Sequence, residues 1–396
     1  MSRILLLCWR DGSHPQGGGS ERYLEHVAAG LAAEGHTVVY RTSRSAGAAR
    51  TEVTDAGVTV SRAGGRFTVY PRALAAIAAG RLGLGPLGAL RRPDAVVDTQ
   101  NGVPFFARLV TRAPVVVLVH HIHREQWPVA GWLVARLGWW VESWLSPRVH
   151  ARSQFVTVSL PSADELAGLG VDHARIAVVR NGLDPLPAPP GGRGGAPTGR
   201  RLVVLSRLVP HKHVEDALEV LAALRPTHPD LVLDVVGSGW WADRLREHAD
   251  RLGLTADGSV VFHGHVDEAT KHRILAGADI HLMPSRKEGW GLAVSEAGQH
   301  AVPTVGYHHA AGLRDSIDDG ETGLLVDGVD AMADATRGLL ADEAARARLG
   351  GAARRKAARL SWPATAAAMG EVLRAAGEGR RLGGVVTGPG HGPSAA

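Results

Sequence analysis

The sequence predicts an α/β protein of two doubly wound domains, each a parallel sheet covered by helices. Three observations carry this expectation. Uninterrupted apolar runs at residues 3–8 and 201–206 have the composition of strands buried on both faces of a parallel sheet. Each run leads through a loop into helical apolar spacing, which is how a doubly wound unit begins. Between them, residues 185–200 (PLPAPPGGRGGAPTGR) hold almost nothing that could enter a core and read as a linker or surface loop. At 396 residues the chain is long enough for two cores. The second opening repeats the theme of the first and not its sequence, so a second domain starts afresh.

Composition narrows the class. A hydrophobic content of 45% and a charged content of 21% describe a soluble globular protein. Cys8 is the only cysteine, which excludes an intrachain disulfide and a cysteine-based zinc site and fits a reducing compartment. The apolar run 4–9 is too short for a signal peptide and ends at Arg10–Asp11. No stretch has the roughly 18–20 predominantly apolar residues of a membrane span. A cytoplasmic protein is expected. Residues 1–183 hold 20 arginines against 13 acids, while the whole chain is only +5. A basic first half suits a phosphorylated substrate or peripheral contact with an anionic membrane at its inner face, and equally an Arg-rich genome. Nucleic acid is not expected, because no Lys/Arg cluster is interleaved with aromatics.

In the first half, run 3–8 passes into a Gly-rich loop, PQGGGSER at 15–22, and a helix through Tyr23, Val27 and Leu31. Gly18 and Gly19 could bring backbone amides up to a phosphate; a plain tight turn is the other reading. Strands are expected at 37–40, 58–61, 95–98 and 115–120. The last ends in His120-His121-Ile122-His123, at the carboxyl end of a strand, where open α/β sheets bind ligands. Three such close histidines also admit a metal site with Glu125, or a structural cluster. Residues 127–145 carry Trp127, Trp132, Trp139, Trp140 and Trp144 at spacings that put several on one helical face. That helix either packs on its own domain or over a ligand, or it forms an acceptor-binding or membrane-leaning surface. A strand at 154–158, a helix at 162–169, a strand at 176–179 and an Asn181–Gly182 turn follow.

In the second half, the loop after strand 201–206 carries Arg207 and Lys212, two cations able to neutralise a diphosphate. A strand is expected at 231–236, and Lys271 falls in the helix that follows segment 260–266 and at the surface. Residues 278–302, ADIHLMPSRKEGWGLAVSEAGQHAV, form the centre of the chain: a strand at 280–283, a tight loop at 286–291 and a helix from near Leu292. A helix N-terminus offers unpaired amides and partial positive charge to an anion. Gly289 and Gly291 let backbone approach a ligand, Glu288 lies beside whatever hangs from the phosphate, and Glu296 can accept from a diol such as ribose. Asp318–Asp319 reads as a surface turn, residues 331–358 as a helical run, and residues from 377 on as a disordered Gly/Pro-rich tail.

The stretch EGWGLAVSE (288–296) resembles the E-x7-E signature of retaining, GT-B-fold glycosyltransferases of family 4 (glycosyl transferases group 1), with Trp290 where that family usually has Phe. The R-x4-K spacing of Arg207 and Lys212 matches the family's diphosphate-binding pair. Gly237-Ser238-Gly239 stands where Gly-Asp-Gly is common, and N-G-x-D at 181–184 resembles the exit from the first domain. The resemblance implies two Rossmann-like domains facing across a cleft: an acceptor domain at 1–184, a linker at 185–200, a nucleotide-sugar domain at 201–360, a helix at 361–376 crossing back, and a tail at 377–396.

It implies a hexosyl-type transferase moving a sugar from a UDP- or GDP-linked donor to a hydroxyl acceptor, in glycan, glycolipid or glycosylated-metabolite synthesis. No cofactor and no metal are expected, the nucleotide-sugar being a substrate. The resemblance assigns Arg207, Lys212, Gly291, Leu292, Gly18 and Gly19 to the donor diphosphate. It assigns Glu296 and the backbone of Gly264, His265 and Val266 to the nucleoside, and His120 and Glu288 to the reacting sugar. His121, His123 and Trp290 become further sugar or acceptor contacts. With no agreed protein nucleophile in the family, His120 and Glu288 are read as positioning groups. A nucleotide-sugar epimerase of the same fold and a non-catalytic sugar-nucleotide binder are the alternatives.

Overall fold

A computed structural model of the chain describes residues 1–14, 17–124, 127, 131–187 and 200–388. It comprises two compact units, one formed by Met1–Gly182 together with the chain from Ser361 on, the other by Leu183–Leu360. The first unit begins β1 (Arg3–Leu7), α1 (Gly19–Ala33), β2 (Thr37–Thr42), β3 (Thr51–Val53), β4 (Thr59–Arg62) and α2 (Val69–Gly80). It continues β5 (Ala95–Thr99), β6 (Val115–Leu118), α3 (Trp132–Trp140), α4 (Ser146–Val149), β7 (Gln154–Thr157), α5 (Leu160–Gly168) and β8 (Ile176–Val178).

The second unit runs β9 (Arg201–Leu205), α6 (Val214–Leu224), β10 (Val232–Val236), α7 (Ala242–Arg251), β11 (Val260–Gly264), α8 (Glu268–Ala276) and β12 (Ile280–Met283). Then come α9 (Leu292–Gln299), β13 (Thr304–Tyr307), α10 (Leu313–Ser316), β14 (Gly323–Val326), α11 (Val329–Ala341) and α12 (Glu343–Ala357). The chain finally adds α13 (Trp362–Gly377) and β15 (Gly384–Val385) to the first unit.

The strands form two sheets, ordered β15-β8-β7-β6-β5-β1-β2-β4-β3 and β11-β10-β9-β12-β13-β14. Among the described residues, every pairing between these strands is parallel except β3 with β4 at the edge of the first sheet. The apolar runs explain this. Strands such as ILLL in β1 and VVVL in β6 are buried throughout, as strands covered by helices on both faces must be. Each fully buried Leu or Val stabilises the fold by about 1.5–3 kcal/mol relative to exposure. Three large aromatics complete the cores and satisfy their hydroxyls: Tyr23 donates to the Val179 carbonyl at 3.2 Å, Tyr40 to the Arg10 carbonyl at 3.0 Å, and Tyr307 to Asp216 at 2.6 Å.

In the second sheet β9 is hydrogen-bonded to β10 on one side and to β12 on the other. The strand order therefore reverses beside β9, and the loops leaving the carboxyl ends of β9 and β12 emerge as neighbours. This is where an open α/β sheet offers a ligand site.

Several expectations need correction. The run 331–358 is two helices, because Asp342 ends α11 and caps α12 by accepting from the Ala345 amide at 2.8 Å. The stretch 127–145 is not one helix. α3 starts only at Trp132, after Gly131 at φ 92°, and then widens into a π-turn over Val141–Leu145. Ordered structure also continues past residue 377: the Gln154 side chain accepts from the Leu382 amide at 3.0 Å and donates to its carbonyl at 2.7 Å, holding β15 against β8. The rest of the expected tail (389–396), most of the expected linker (188–199) and Glu125 lie outside the described residues. Among the described residues, no helix is long and apolar enough to cross a membrane.

Candidate active site

In the second unit, the loop after β9 is shaped by what lies beneath it. A Cβ at Gly237 would fall 1.8 Å from the Ser206 carbonyl oxygen, and one at Gly239 2.0 Å from that of Leu208. Only glycines let the β10 turn lie flush against the loop, and this holds Arg207, which is exposed, at the sheet's end. The loop after β12 is fastened to it by the Arg286 amide donating to the His211 carbonyl at 3.0 Å.

Lys212 and Glu288 meet across these two loops. Lys212 Nζ donates to Glu288 Oε1, and both side chains are nearly buried, at 13% and 9% exposure. Three residues on, Gly291 adopts φ 89° as the first cap of α9, a conformation that costs any other residue strain. No side chain caps this helix among the described residues, so the amides at Leu292 and Ala293 keep the anion-attracting character of a helix start.

Glu296 lies one turn further along α9, 17% exposed, and Lys271 Nζ donates to its Oε1 at 2.7 Å. Lys271 is therefore not the surface residue expected from the sequence. It is only 8% exposed and reaches Glu268 as well, at 2.7 Å. Burial opposes its charge, but Glu296 and Glu268 outweigh burial and its pKa is raised. The base-contacting segment assigned by the resemblance, 264–266, leaves β11 at Gly264 (φ 67°) and leads directly to Asp267, which caps α8 by accepting from the Thr270 amide at 2.7 Å.

Trp290 is 3% exposed and donates its indole N–H to Ser295 Oγ at 3.2 Å, so its ring is packed at the start of α9.

In the first unit, His120 sits two residues past β6, 7% exposed, edge-on to Tyr23 with centroids 5.2 Å apart. Ser162 Oγ donates to its carbonyl at 3.4 Å, while its ring Nε2 is buried without a hydrogen-bond partner. Burial pushes its pKa down to about 4 against the opposing charge of Glu21, so the ring is neutral near pH 7. His121 stacks on His123 at 4.3 Å. His123 in turn is held by Glu142: the carboxylate accepts the His123 amide at 3.1 Å and the Trp127 indole at 2.8 Å, with His123 Nδ1 at 3.3 Å. Among the described residues no group of three or more His, Cys, Asp or Glu is arranged to hold a metal. For Gly18 the geometry is unfavourable to phosphate, because its amide donates to Glu21 Oε2 at 2.8 Å; Gly19 is the first residue of α1.

Sequence reasoning missed two residues that hold the candidate groups, Glu142 and Lys271. Glu142 had a signal, a lone acid in a Trp-rich apolar stretch, since a buried carboxylate persists only where donors meet it. Lys271 had none, because its partner Glu296 is 25 residues away.

Comparison with known proteins gives this arrangement its context. Residues 17–185 match Glycosyltransferase Family 4, and residues 194–356 match Glycosyl transferases group 1. The chain is 32% identical to the glycogen synthase of Mycobacterium tuberculosis (strain CDC 1551 / Oshkosh), over 96% of each chain. It is also 32% identical to the GDP-mannose-dependent alpha-(1-6)-phosphatidylinositol monomannoside mannosyltransferase of Mycolicibacterium smegmatis, over 67% of this chain and 72% of that one. Among solved structures, sucrose-phosphate synthase from Thermosynechococcus elongatus superposes with a TM-score of 0.79 at 20% identity, covering 94% of this chain and 98% of that one. Anabaena HepE, solved with UDP-glucose, gives 0.71 at 17% identity, covering 95% and 100%. Full-length similarity to a named transferase, two family matches that together span both units, and paired acids and cations at the switch point of the second sheet lead to one conclusion: the chain is a glycosyltransferase of the GT-B fold, belonging to family 4 (group 1).

Proposed function

We propose that this glycosyltransferase uses a nucleotide-diphospho-sugar, UDP- or GDP-linked, and transfers the sugar to a hydroxyl acceptor with retention of configuration and without a metal. The observation that carries the reading is the meeting of Lys212 with Glu288 beside the uncapped start of α9. Arg207, Lys212 and the amides at Gly291–Leu292 stabilise the leaving diphosphate by preorganised positive charge, the task a metal would otherwise perform. Glu288, oriented by Lys212, directs the sugar hydroxyls, and Glu296 accepts from the ribose. Base recognition falls to the backbone of Gly264, His265 and Val266.

His120, neutral at working pH, is suited to hydrogen-bonding a sugar hydroxyl and unsuited to acting as an acid. No protein group is asked to take the acceptor's proton; a donor phosphate oxygen takes it. The names of the relatives support a nucleotide-linked donor of either base, one being GDP-mannose-dependent and one solved with UDP-glucose.

A thermal-shift titration with UDP and GDP, each with EDTA or Mg²⁺, tests the donor. Ligand at about 100 times its dissociation constant stabilises the fold by roughly 2.7 kcal/mol. A shift that survives EDTA is expected for one nucleotide, and none for either removes the reading. Retention is tested by the anomeric configuration of the product, read by NMR; an inverted product refutes it.

A second reading concerns location. Trp132, Leu133, Leu137, Trp140 and Trp144 are 43–69% exposed, and Arg148 lies 4.3 Å over the Trp144 ring. Tryptophan with arginine on an apolar face suits peripheral contact with anionic lipid. Co-sedimentation with anionic but not neutral vesicles is the expected result.

A further inference from the structure

Lys271 is the largest departure from the sequence reading, and its surroundings are more specific than those of a surface cation. It stands in the first turns of α8, whose beginning is the end of segment 264–266. Its ammonium lies between two carboxylates of unequal exposure, Glu296 at 17% and Glu268 at 57%, 2.7 Å from each. The stem is buried, so the charge is directed to Glu296 by packing as well as by attraction. Glu296 has no other hydrogen-bond or ion-pair partner among the described residues; Oε1 takes Lys271, leaving Oε2 for a ligand hydroxyl. An unsupported glutamate would have to freeze its side-chain torsions on binding, whereas one already held presents its acceptor ready-set.

We propose that Lys271 is a positioning residue for the nucleoside: it fixes Glu296 for the ribose and ties that carboxylate to the helix that follows the base-contacting segment. The proposal rests on the assignment of Glu296 to ribose. It differs from an ordinary structural ion pair in one consequence, that its loss is felt by ligands carrying a ribose and not by the diphosphate alone.

The experiment is calorimetric titration of the full chain with UDP, GDP and inorganic pyrophosphate, for wild type, Lys271→Met, Lys271→Arg and Glu296→Gln. Lys271→Met should weaken binding of whichever nucleotide the wild type binds by about tenfold, the scale of one hydrogen bond to a charged group. Pyrophosphate binding should not change, and Lys271→Arg should recover most of the nucleotide affinity. Nucleotide affinity untouched in Lys271→Met but weakened in Glu296→Gln overturns the role of Lys271 alone. Affinity untouched in Glu296→Gln, or no nucleotide bound by the wild type, overturns the ribose assignment and this inference with it. Equal weakening for nucleotide and pyrophosphate identifies a general structural support and also overturns it. If Lys271→Met fails to fold, Lys271→Gln is read against the same outcomes.

Discussion

In the second unit the candidate ligand groups are charged and paired side chain to side chain, Lys212 with Glu288 and Lys271 with Glu296. In the first unit they are histidines, with His120 packed neutral against Tyr23 and His123 held by a buried carboxylate. Under the proposed assignment, the contrast matches the chemistry each would face. A diphosphate is met by cations, and a cation waiting without its ligand is best kept in place by an acid that can share it. A sugar hydroxyl is met by neutral donors and acceptors, which need only rigid packing and the exclusion of water. The first arrangement, being nearly buried, responds to ligand charge more than to salt; in the second, His120 responds to protons.

The largest expected effect tests the charged side of this contrast. Lys212→Ala should lower kcat/KM for transfer by about 10²–10³-fold, as for loss of one preorganised donor to a developing anion. Glu288→Gln should behave differently, binding the nucleoside diphosphate as well as or better than wild type while losing turnover. Equal loss of both in the two variants would mean that the pair acts only as a strut.

The neutral side is tested by Glu142→Ala, which leaves the His123 amide and the Trp127 indole without their acceptor. It should cost about 3 kcal/mol in urea unfolding, typical of breaking a buried charge-assisted cluster. A cost under 1 kcal/mol, on the scale of a surface change, would show that the loop does not depend on it.

Protons provide the next test. Burial pushes His120 and His150 down to about 4 and His281 to about 3. These folded values lie below the ordinary pKa of about 6.5, so the unfolded chain binds more protons in between. Their contribution to stability is complete above about pH 6.5 and is lost as pH falls toward 4, by up to about 1.4 kcal/mol per pH unit for each ring. His281→Gln should flatten the fall of Tm over that window, and an unchanged slope would count against burial of a neutral ring.

The smallest effect belongs to the exposed tryptophans. Trp140→Ser should change stability by less than about 0.5 kcal/mol, as at most surface sites, yet reduce sedimentation with anionic vesicles.

What was legible in the sequence and what was not divides along physical lines. The buried strands announced themselves as uninterrupted aliphatic runs, and the loop at 286–291 as glycines and acids between a strand and a helix. Those signals are local. Asp342, which cuts a helical run in two, was legible in principle as a cap preceding Glu343-Ala344-Ala345. The edge strands β3 and β15 were not, since three exposed residues and a Gly–Val pair carry no apolar pattern. The packing of Trp290 was not legible, because aromatic side chains near a ligand loop are equally at home beneath it. Lys271 and Glu142 depend on partners 25 and 19 residues away, and no periodicity encodes such a meeting.

One feature of the first unit bears on how such a chain can be cut and rejoined. A Cβ on Gly182 would fall 2.3 Å from the amide nitrogen of Trp362, so the place where the chain leaves this unit touches the place where it re-enters. In chain topology the second unit is thus an insertion between adjacent ends, the arrangement in which a domain can be spliced out with least disturbance to its host. A gene joining codon 182 to codon 361 through a short flexible spacer should retain the nine-stranded sheet and the α1–α13 packing. The first unit would then be available as an independent module, open to grafting onto another partner domain.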